Sequence, residues 1–305
     1  MDFLSAIKSI AGEECIFCNE MMSDHTTFKV GGPAKYFVVP YRAEDIKKYI
    51  LAAEEYKIPY YVIGNGSNLL VSDKGYDGMI IMLGRDLGNI TVNGDRITAE
   101  AGTSLARLFN TARRHSLSGL EFAAGIPGTL GGACYMNAGA YGGEMKDVLT
   151  KVVTIDRQGN THEYKQGEME LSYRNSIFIR KQEIILSAEM KLCKGDVEKM
   201  TRKVNELLEK RKEKQPLEYP SAGSTFKRPE GDFAGRLIEE CGLKGKGVNG
   251  AEVSEKHAGF IINRNNATAI DIYDTINLVT DTVLEKTGIK LEPEVRLLGD
   301  FSGNT

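Results

Sequence analysis

Two glycine-rich stretches hold the residues whose type and spacing best suit chemistry. The first, GNGSNLL, runs from Gly64 through Asn65, Gly66, Ser67, Asn68 and Leu69 to Leu70. Glycines let backbone N–H groups approach an anion closely and permit positive φ. Successive amides in such a turn form an anion-binding nest, and Ser67 and Asn68 add side-chain donors. The second, AAGIPGTLGGACYMNAGAYGG, runs from Ala123 to Gly143 and is small-residued and almost uncharged. Such a stretch suits wrapping a flat apolar ring and a pyrophosphate with backbone groups. GNGSNL lacks the last glycine of G-x-G-x-x-G, and no G-x-x-x-x-G-K-[ST] occurs, which disfavours a Rossmann dehydrogenase and a P-loop NTPase. By itself GNGSN reads equally well as a tight turn.

Other reactive residue types are scattered. Cys15 and Cys18 form a lone C-x-x-C, without the second pair or spaced histidines of a zinc site. With Cys134, Cys193 and Cys241 they are read as free thiols, and no metal is expected. His25, His115, His162 and His257 read as surface or packing residues. The 305 residues carry 39 basic and 42 acidic side chains, a net charge of −3. That balance argues against bulk nucleic-acid binding. No apolar run approaches the roughly 20 residues of a membrane span, and MDFLSAIKSIAGEEC does not read as a signal peptide. A cytoplasmic monomer acting on small molecules, with no nucleic-acid or membrane partner, is expected.

The elements that must position these stretches alternate in type. Lys35 to Pro40 reads as a strand. A helix follows with Ile46, Tyr49, Ile50 and Ala53 on one face. Pro59 to Gly64 and Met79 to Leu83 are strand-like, with GNGSNLL filling the loop after the former. Asn93-Gly94 between alternating residues marks a hairpin. Ser104 opens a helix bearing Leu105, Leu108, Phe109 and Ala112. Lys151 to Tyr164 reads as a second hairpin, and IFIR and EIILSAEMKL as strands. Lys199 to Gln215 is a charged helix with a stripe of Val204, Leu207 and Leu208. Asp232 is read as capping a helix stopped by Gly242. Gly259 to Asn263 is strand-like. Thr268 and Asp271 form a capping box for a helix burying Ile272, Ile276, Val279 and Val283, and EVRLLGDF closes the chain as a strand. The expected divisions are 1–87, 88–215 and 216–305.

Six motifs then occur in order: HTTFKVGGPA (from His25), GNGSNLL, GIPGTLGGACYMNAGAYGGE, SYRNS (from Ser172), SAGSTFKRP (from Ser221) and LEPEVRLLG (from Leu291). Together, from about Asp24 to Gly299, they resemble the UDP-N-acetylenolpyruvoylglucosamine reductase family, whose flavoenzymes make UDP-N-acetylmuramate for peptidoglycan. The resemblance implies an α+β fold: a vanillyl-alcohol-oxidase-type (PCMH-type) FAD-binding domain of two subdomains, 1–87 and 88–215, plus a C-terminal α/β substrate-binding domain, 216–305. It places Gly64 to Asn68, with Leu69, at the FAD pyrophosphate. It sets Gly125, Ile126, Pro127, Gly128, Gly131 and Gly132, then Asn137, Ala138, Gly139, Ala140 and Tyr141, along the isoalloxazine and the rest of the cofactor. With no histidine in or beside these loops in sequence, the FAD is expected to be non-covalent.

The implied reaction has two halves: NADPH reduces the flavin, and the flavin reduces the enolpyruvyl group of the UDP-sugar substrate. By the resemblance, Ser224 of AGSTF is the proton donor, Arg174 of SYRNS binds the enolate-like carboxylate, and Glu294 of PEVR completes the site. Tyr173, Lys227, Arg228 and Arg296 are candidates for the substrate diphosphate or the NADPH phosphates. Outside these motifs, Ser224 would read as a turn residue and Arg174 and Glu294 as surface charges. The stretch from Arg174 to Ser224 is compact and lacks the extra tyrosine-bearing loop of some members. Two other readings stand beside this one: an FAD oxidase of a small alcohol or sugar on the same fold, and a non-enzymatic flavin-binding or scaffold protein. Neither gives Arg174, Ser224 and Glu294 a role.

Overall fold

The computed structural model describes residues 2–302. Contacts group the chain into two units: the chain up to Cys18 with Tyr36–Asn65 and Gly78–Lys210, and Asn19–Lys35 with Gly66–Asp77 and the chain from Arg211. Among the described residues no helix is long and apolar enough to cross a membrane.

The first unit is built on a five-stranded antiparallel sheet in the order Thr161–Lys165, Leu149–Ile155, Ile184–Lys191, Arg96–Glu100, Ile90–Asn93. The Asn93-Gly94 hairpin forms as its sequence requires, with Asn93 opposite Arg96 and Gly94 at φ 61°. Ile97 and Ala99 alternate inward along Arg96–Glu100, as a sheet with one face on the core demands. Helix Leu105–Arg114 starts where Ser104 accepts a hydrogen bond from the Arg107 N–H and buries Leu105, Leu108, Phe109 and Ala112. The second glycine-rich stretch is not all loop. Leu130–Tyr135 is a short helix lying against Ile184–Lys191, because its small residues permit close packing. Helix Ala43–Glu55 buries the expected Ile46, Tyr49, Ile50 and Ala53. Strands Tyr60–Ile63 and Tyr76–Met82 pair in parallel, Tyr60 opposite Met79.

One strand expectation fails here. IFIR is helical, Ile177–Lys181, and ends on Gln182 in the left-handed conformation. A short apolar run does not distinguish strand from buried helix. Tertiary packing decides, burying Ile177 and Phe178, with the Phe178 ring edge-on to Tyr164 at 5.4 Å.

In the second unit, Gly247–Val248, Ala251–Val253 and Ile261–Asn263 make an antiparallel three-stranded sheet. Helix Ala269–Thr287 packs on it through Ile272, Ile276, Val279 and Val283. Its capping box forms, with Thr268 accepting from the Asp271 N–H and Asp271 accepting from the Thr268 N–H. Helix Ala234–Glu240 starts one residue later than the sequence suggests. Its N-cap is Phe233, while Asp232 accepts from the Phe233 N–H at 2.6 Å and pairs with Arg236. The carboxylate finds that guanidinium one turn on and so does not cap. Gly242, at φ 72°, ends the helix as expected. Leu69 and Leu70 of GNGSNLL leave the loop as strand Leu69–Val71, paired in parallel with Arg296–Leu298.

Thr268→Ala removes one arm of the capping box and should lower unfolding free energy by about 1 kcal/mol. Chemical denaturation measures this, and an unchanged midpoint would show that the cap contributes nothing.

Candidate active site

The second unit gathers Ser224, Glu294, Lys227, Arg228, Arg296 and the Gly66–Leu69 part of the first glycine-rich loop. Ser224 is exposed, and the next residue, Thr225, is fully buried. Thr225 fastens the segment three ways. Its N–H donates to the Gly259 carbonyl at 2.8 Å, its carbonyl accepts from the Glu294 N–H at 2.7 Å, and its Oγ1 accepts from the Ile261 N–H at 3.0 Å. Phe226 bridges to Pro293, and the Lys227 N–H donates to the Glu292 carbonyl at 2.8 Å. AGSTF and PEVR therefore run side by side, which brings Ser224 and Glu294 onto neighbouring backbone.

The glycine-rich loop grips the same place. Asn68 Nδ2 donates to the Glu294 carbonyl at 3.1 Å, and the Asn68 carbonyl accepts from the Arg296 N–H at 3.1 Å. Asn68 thus spans Val295 and locks the residues on either side. Lys227 pairs with Glu292 at 2.5 Å, and the Arg228 guanidinium lies 4.6 Å from the ring centroid of the exposed Phe233.

The first unit gathers Arg174, Tyr173, Gly64, Asn65 and the second glycine-rich stretch. Arg174 has φ 52° and lies in a turn closed by reciprocal backbone bonds between Ser172 and Asn175. Its guanidinium sits 5.2 Å from the ring centroid of Tyr173, itself half-exposed. Asn65 Nδ2 donates to the Pro127 carbonyl at 3.3 Å, which ties the two glycine-rich stretches together. Pro127, Gly132 and Tyr141 are exposed, Gly125, Ile126, Gly128 and Ala138 to Ala140 are half-buried, and Gly131 is buried. Gly131 packs against Ala101, where a Cβ would lie 2.9 Å from the alanine Cβ. Cys134 is fully buried, and burial pushes its thiol far up, so it stays protonated and unreactive.

The residues fit a dinucleotide pyrophosphate. Among the described residues, the N–H groups of Asn65, Gly66, Ser67 and Asn68 donate to no backbone carbonyl, and four consecutive amides of that kind suit an anion. Glycine is required here by close packing. A Cβ on Gly64 would lie 2.2 Å from Thr129 Oγ1, and one on Gly66, at φ 58°, would lie 2.0 Å from the His25 carbonyl oxygen. His25 thus touches the loop through its backbone, while its imidazole is bonded to Glu20 at 2.9 Å. Sequence reasoning gave no role to Thr129 or Thr225, although both lie in the quoted motifs, because each acts on residues distant in the chain.

The chain is similar to known proteins over nearly its whole length. A model of the UDP-N-acetylenolpyruvoylglucosamine reductase C-terminal domain matches residues 215–298, and one of an FAD binding domain matches 34–165. The UDP-N-acetylenolpyruvoylglucosamine reductase of Caldanaerobacter subterraneus subsp. tengcongensis is 50% identical over 294 residues, 96% of this chain and 97% of that protein. That of Clostridium novyi is 47% identical, covering 100% of this chain and 99% of the relative. The crystal structure of the Thermus caldophilus UDP-N-acetylenolpyruvylglucosamine reductase superposes with a TM-score of 0.78 at 37% identity, covering 92% and 98% of the two chains. Phl p 4, a grass pollen allergen with glucose dehydrogenase activity, shares the fold of 64% of this chain, and 45% of its own, at TM-score 0.51 and 14% identity.

Gly66→Ala should destabilise the protein by roughly 2 kcal/mol or more, from the left-handed backbone and the collision with His25, and should lower its flavin content. Thermal unfolding and the flavin-to-protein absorbance ratio report both. A fully yellow variant with the parental Tm would show that the close approach is not required.

Proposed function

Since the chain belongs to the UDP-N-acetylenolpyruvoylglucosamine reductase family, we propose that Ser224, Arg174 and Glu294 carry its chemistry. The reaction is the reduction of UDP-N-acetylglucosamine enolpyruvate to UDP-N-acetylmuramate, a step of peptidoglycan precursor synthesis. The fold is the PCMH-type FAD-binding domain with the family's C-terminal domain, and FAD and NADPH are the redox partners. FAD, when bound, supplies the two-electron transfer from NADPH to the enolpyruvyl group. Gly64 to Asn68 would hold its pyrophosphate, and Gly125 to Gly132 with Ala138 to Tyr141 would line the rest; Asn137, expected among them, is fully buried with its amide bonded to Glu144, Ser172 and Lys146, and so does not face the cofactor.

The protein residues manage the charge and the proton. Reduction of the double bond leaves negative charge on the carbon beside the carboxylate. Arg174 holds that carboxylate, since a guanidinium matches it with two parallel hydrogen bonds and keeps its charge. Ser224 gives its Oγ proton to the carbon. A serine is a weak acid, but the carbanion-like acceptor is strongly basic, so the transfer is downhill once the two are in contact. Glu294 orients the developing enolate beside Ser224. The observation that carries this reading is the bond from the Glu294 N–H to the Thr225 carbonyl, which makes Ser224 and Glu294 neighbours. Tyr173, Lys227, Arg228 and Arg296 are proposed to meet the phosphates of the substrate or NADPH, and the FAD is proposed to be non-covalent. NADPH and a nucleotide sugar are both water-soluble metabolites of the cytoplasm, and the reaction is assigned there.

Anaerobic NADPH oxidation with and without the enolpyruvyl substrate tests the assignment: loss of NADPH in proportion to substrate is expected, and no turnover by the yellow holoenzyme would sink it. Ser224→Ala should leave flavin reduction by NADPH within a few-fold and slow the substrate half-reaction by roughly 100-fold or more. Stopped-flow absorbance separates the two. Equal slowing of both halves would make Ser224 a structural or binding residue.

A further inference from the structure

Arg174 lies on a turn whose shape and placement have different origins. Shape comes from the backbone: the Ser172 N–H donates to the Asn175 carbonyl at 3.2 Å and the Asn175 N–H to the Ser172 carbonyl at 3.1 Å, with Arg174 left-handed at φ 52°. Those bonds stay within the turn, so they do not fix where it sits. Two side-chain bonds tie it to one segment of the second glycine-rich stretch. Ser176 Oγ donates to the Tyr135 carbonyl at 2.7 Å. Asn137 Nδ2 donates to the Ser172 carbonyl at 3.0 Å, the same oxygen that closes the turn.

Asn137 is fully buried and itself left-handed, at φ 43°. Its Nδ2 also donates to Glu144 Oε2 at 2.7 Å, and its Oδ1 accepts from the Lys146 N–H at 2.9 Å. Both amide protons and the amide oxygen are therefore bonded to protein, and the side chain cannot rotate without stranding a buried polar group. We propose that Asn137 is a positioning residue for Arg174: with Ser176 it brackets the turn 172–176 to the segment 135–137, so that whatever orders the glycine-rich stretch also sets the guanidinium. This rests on the role given to Arg174 above. A misplacement near 1 Å at such a group can cost on the order of 100-fold in rate, so a bracket of this kind acts on the substrate half-reaction more than on flavin reduction.

Two variants test it. Asn137→Asp keeps volume and tolerance of the left-handed backbone and replaces the donor facing the Ser172 carbonyl by an oxygen. Ser176→Ala removes the other bond. In the FAD-loaded enzyme, stopped flow should show the substrate half-reaction slowed roughly tenfold more than flavin reduction in Asn137→Asp, and to a lesser degree in Ser176→Ala. Both effects should largely vanish when combined with Arg174→Lys. Independently of turnover, the Asn175 amide should exchange with deuterium roughly tenfold faster in either variant, while the amides of Leu149–Ile155 hold their parental rates. Half-reactions that slow in step, full additivity with Arg174→Lys, or parental exchange at Asn175 would each overturn the proposal. If Asn137→Asp does not fold, Ser176→Ala decides alone by the same rate ratio and the same amide. A parental enzyme inactive on the enolpyruvyl substrate would sink the functional reading instead, and exchange at Asn175 would still judge the bracket.

Discussion

A backbone N–H withdrawn from water must find an acceptor, and that of Glu294 finds the Thr225 carbonyl at 2.7 Å. Much of the second unit's site depends on this bond. It aligns two segments far apart in the sequence, so Ser224 is set beside Glu294 by main chain. Main-chain placement is stiffer than side-chain placement, because peptide planes carry fewer soft torsions than a carboxylate stem. Thr225 reinforces it from beneath with its hydroxyl, and Asn68 secures both sides of Val295. A proton donor that is a poor acid gains most from such rigidity, since only close contact with the acceptor makes its proton transferable.

The first unit solves the same problem with side chains. The turn bearing Arg174 has no sheet to join, so Ser176 and Asn137 hold it against the glycine-rich stretch. That stretch is small-residued for two reasons at once. Gly131 lets it pack closely against Ala101, and the exposed edges at Pro127, Gly132 and Tyr141 leave main chain open to a ligand. The GNGSN loop shows the same double demand: Gly66 lies on the His25 carbonyl, while the loop amides, among the described residues, donate to no backbone carbonyl.

Local signals in the sequence carried a good deal of the fold. The Thr268–Asp271 capping box, the Ser104 cap, the Asn93-Gly94 hairpin and the face of Ala43–Glu55 form as expected. Each is encoded within a few residues, where propensity, capping and periodicity act. IFIR and Asp232 went otherwise, since both were ambiguous locally. A run of four apolar-rich residues has no period to read, and a carboxylate next to a helix start has more than one donor to choose from.

The sequence by itself determined the family, through six ordered motifs, and with it the reaction and the cofactor. It also determined the helices and hairpins whose caps and turns lie within one short window. Only the tertiary structure decided what each motif residue does for its neighbours. Asn137 stands in a glycine-rich motif, yet its amide is turned onto Ser172, 35 positions away, and Asn68 reaches the Glu294 carbonyl across 226 positions. Such bonds are selected by the closing of the chain over long loops, not by the residues adjacent to either partner. No window short enough to be read as a pattern contains both ends.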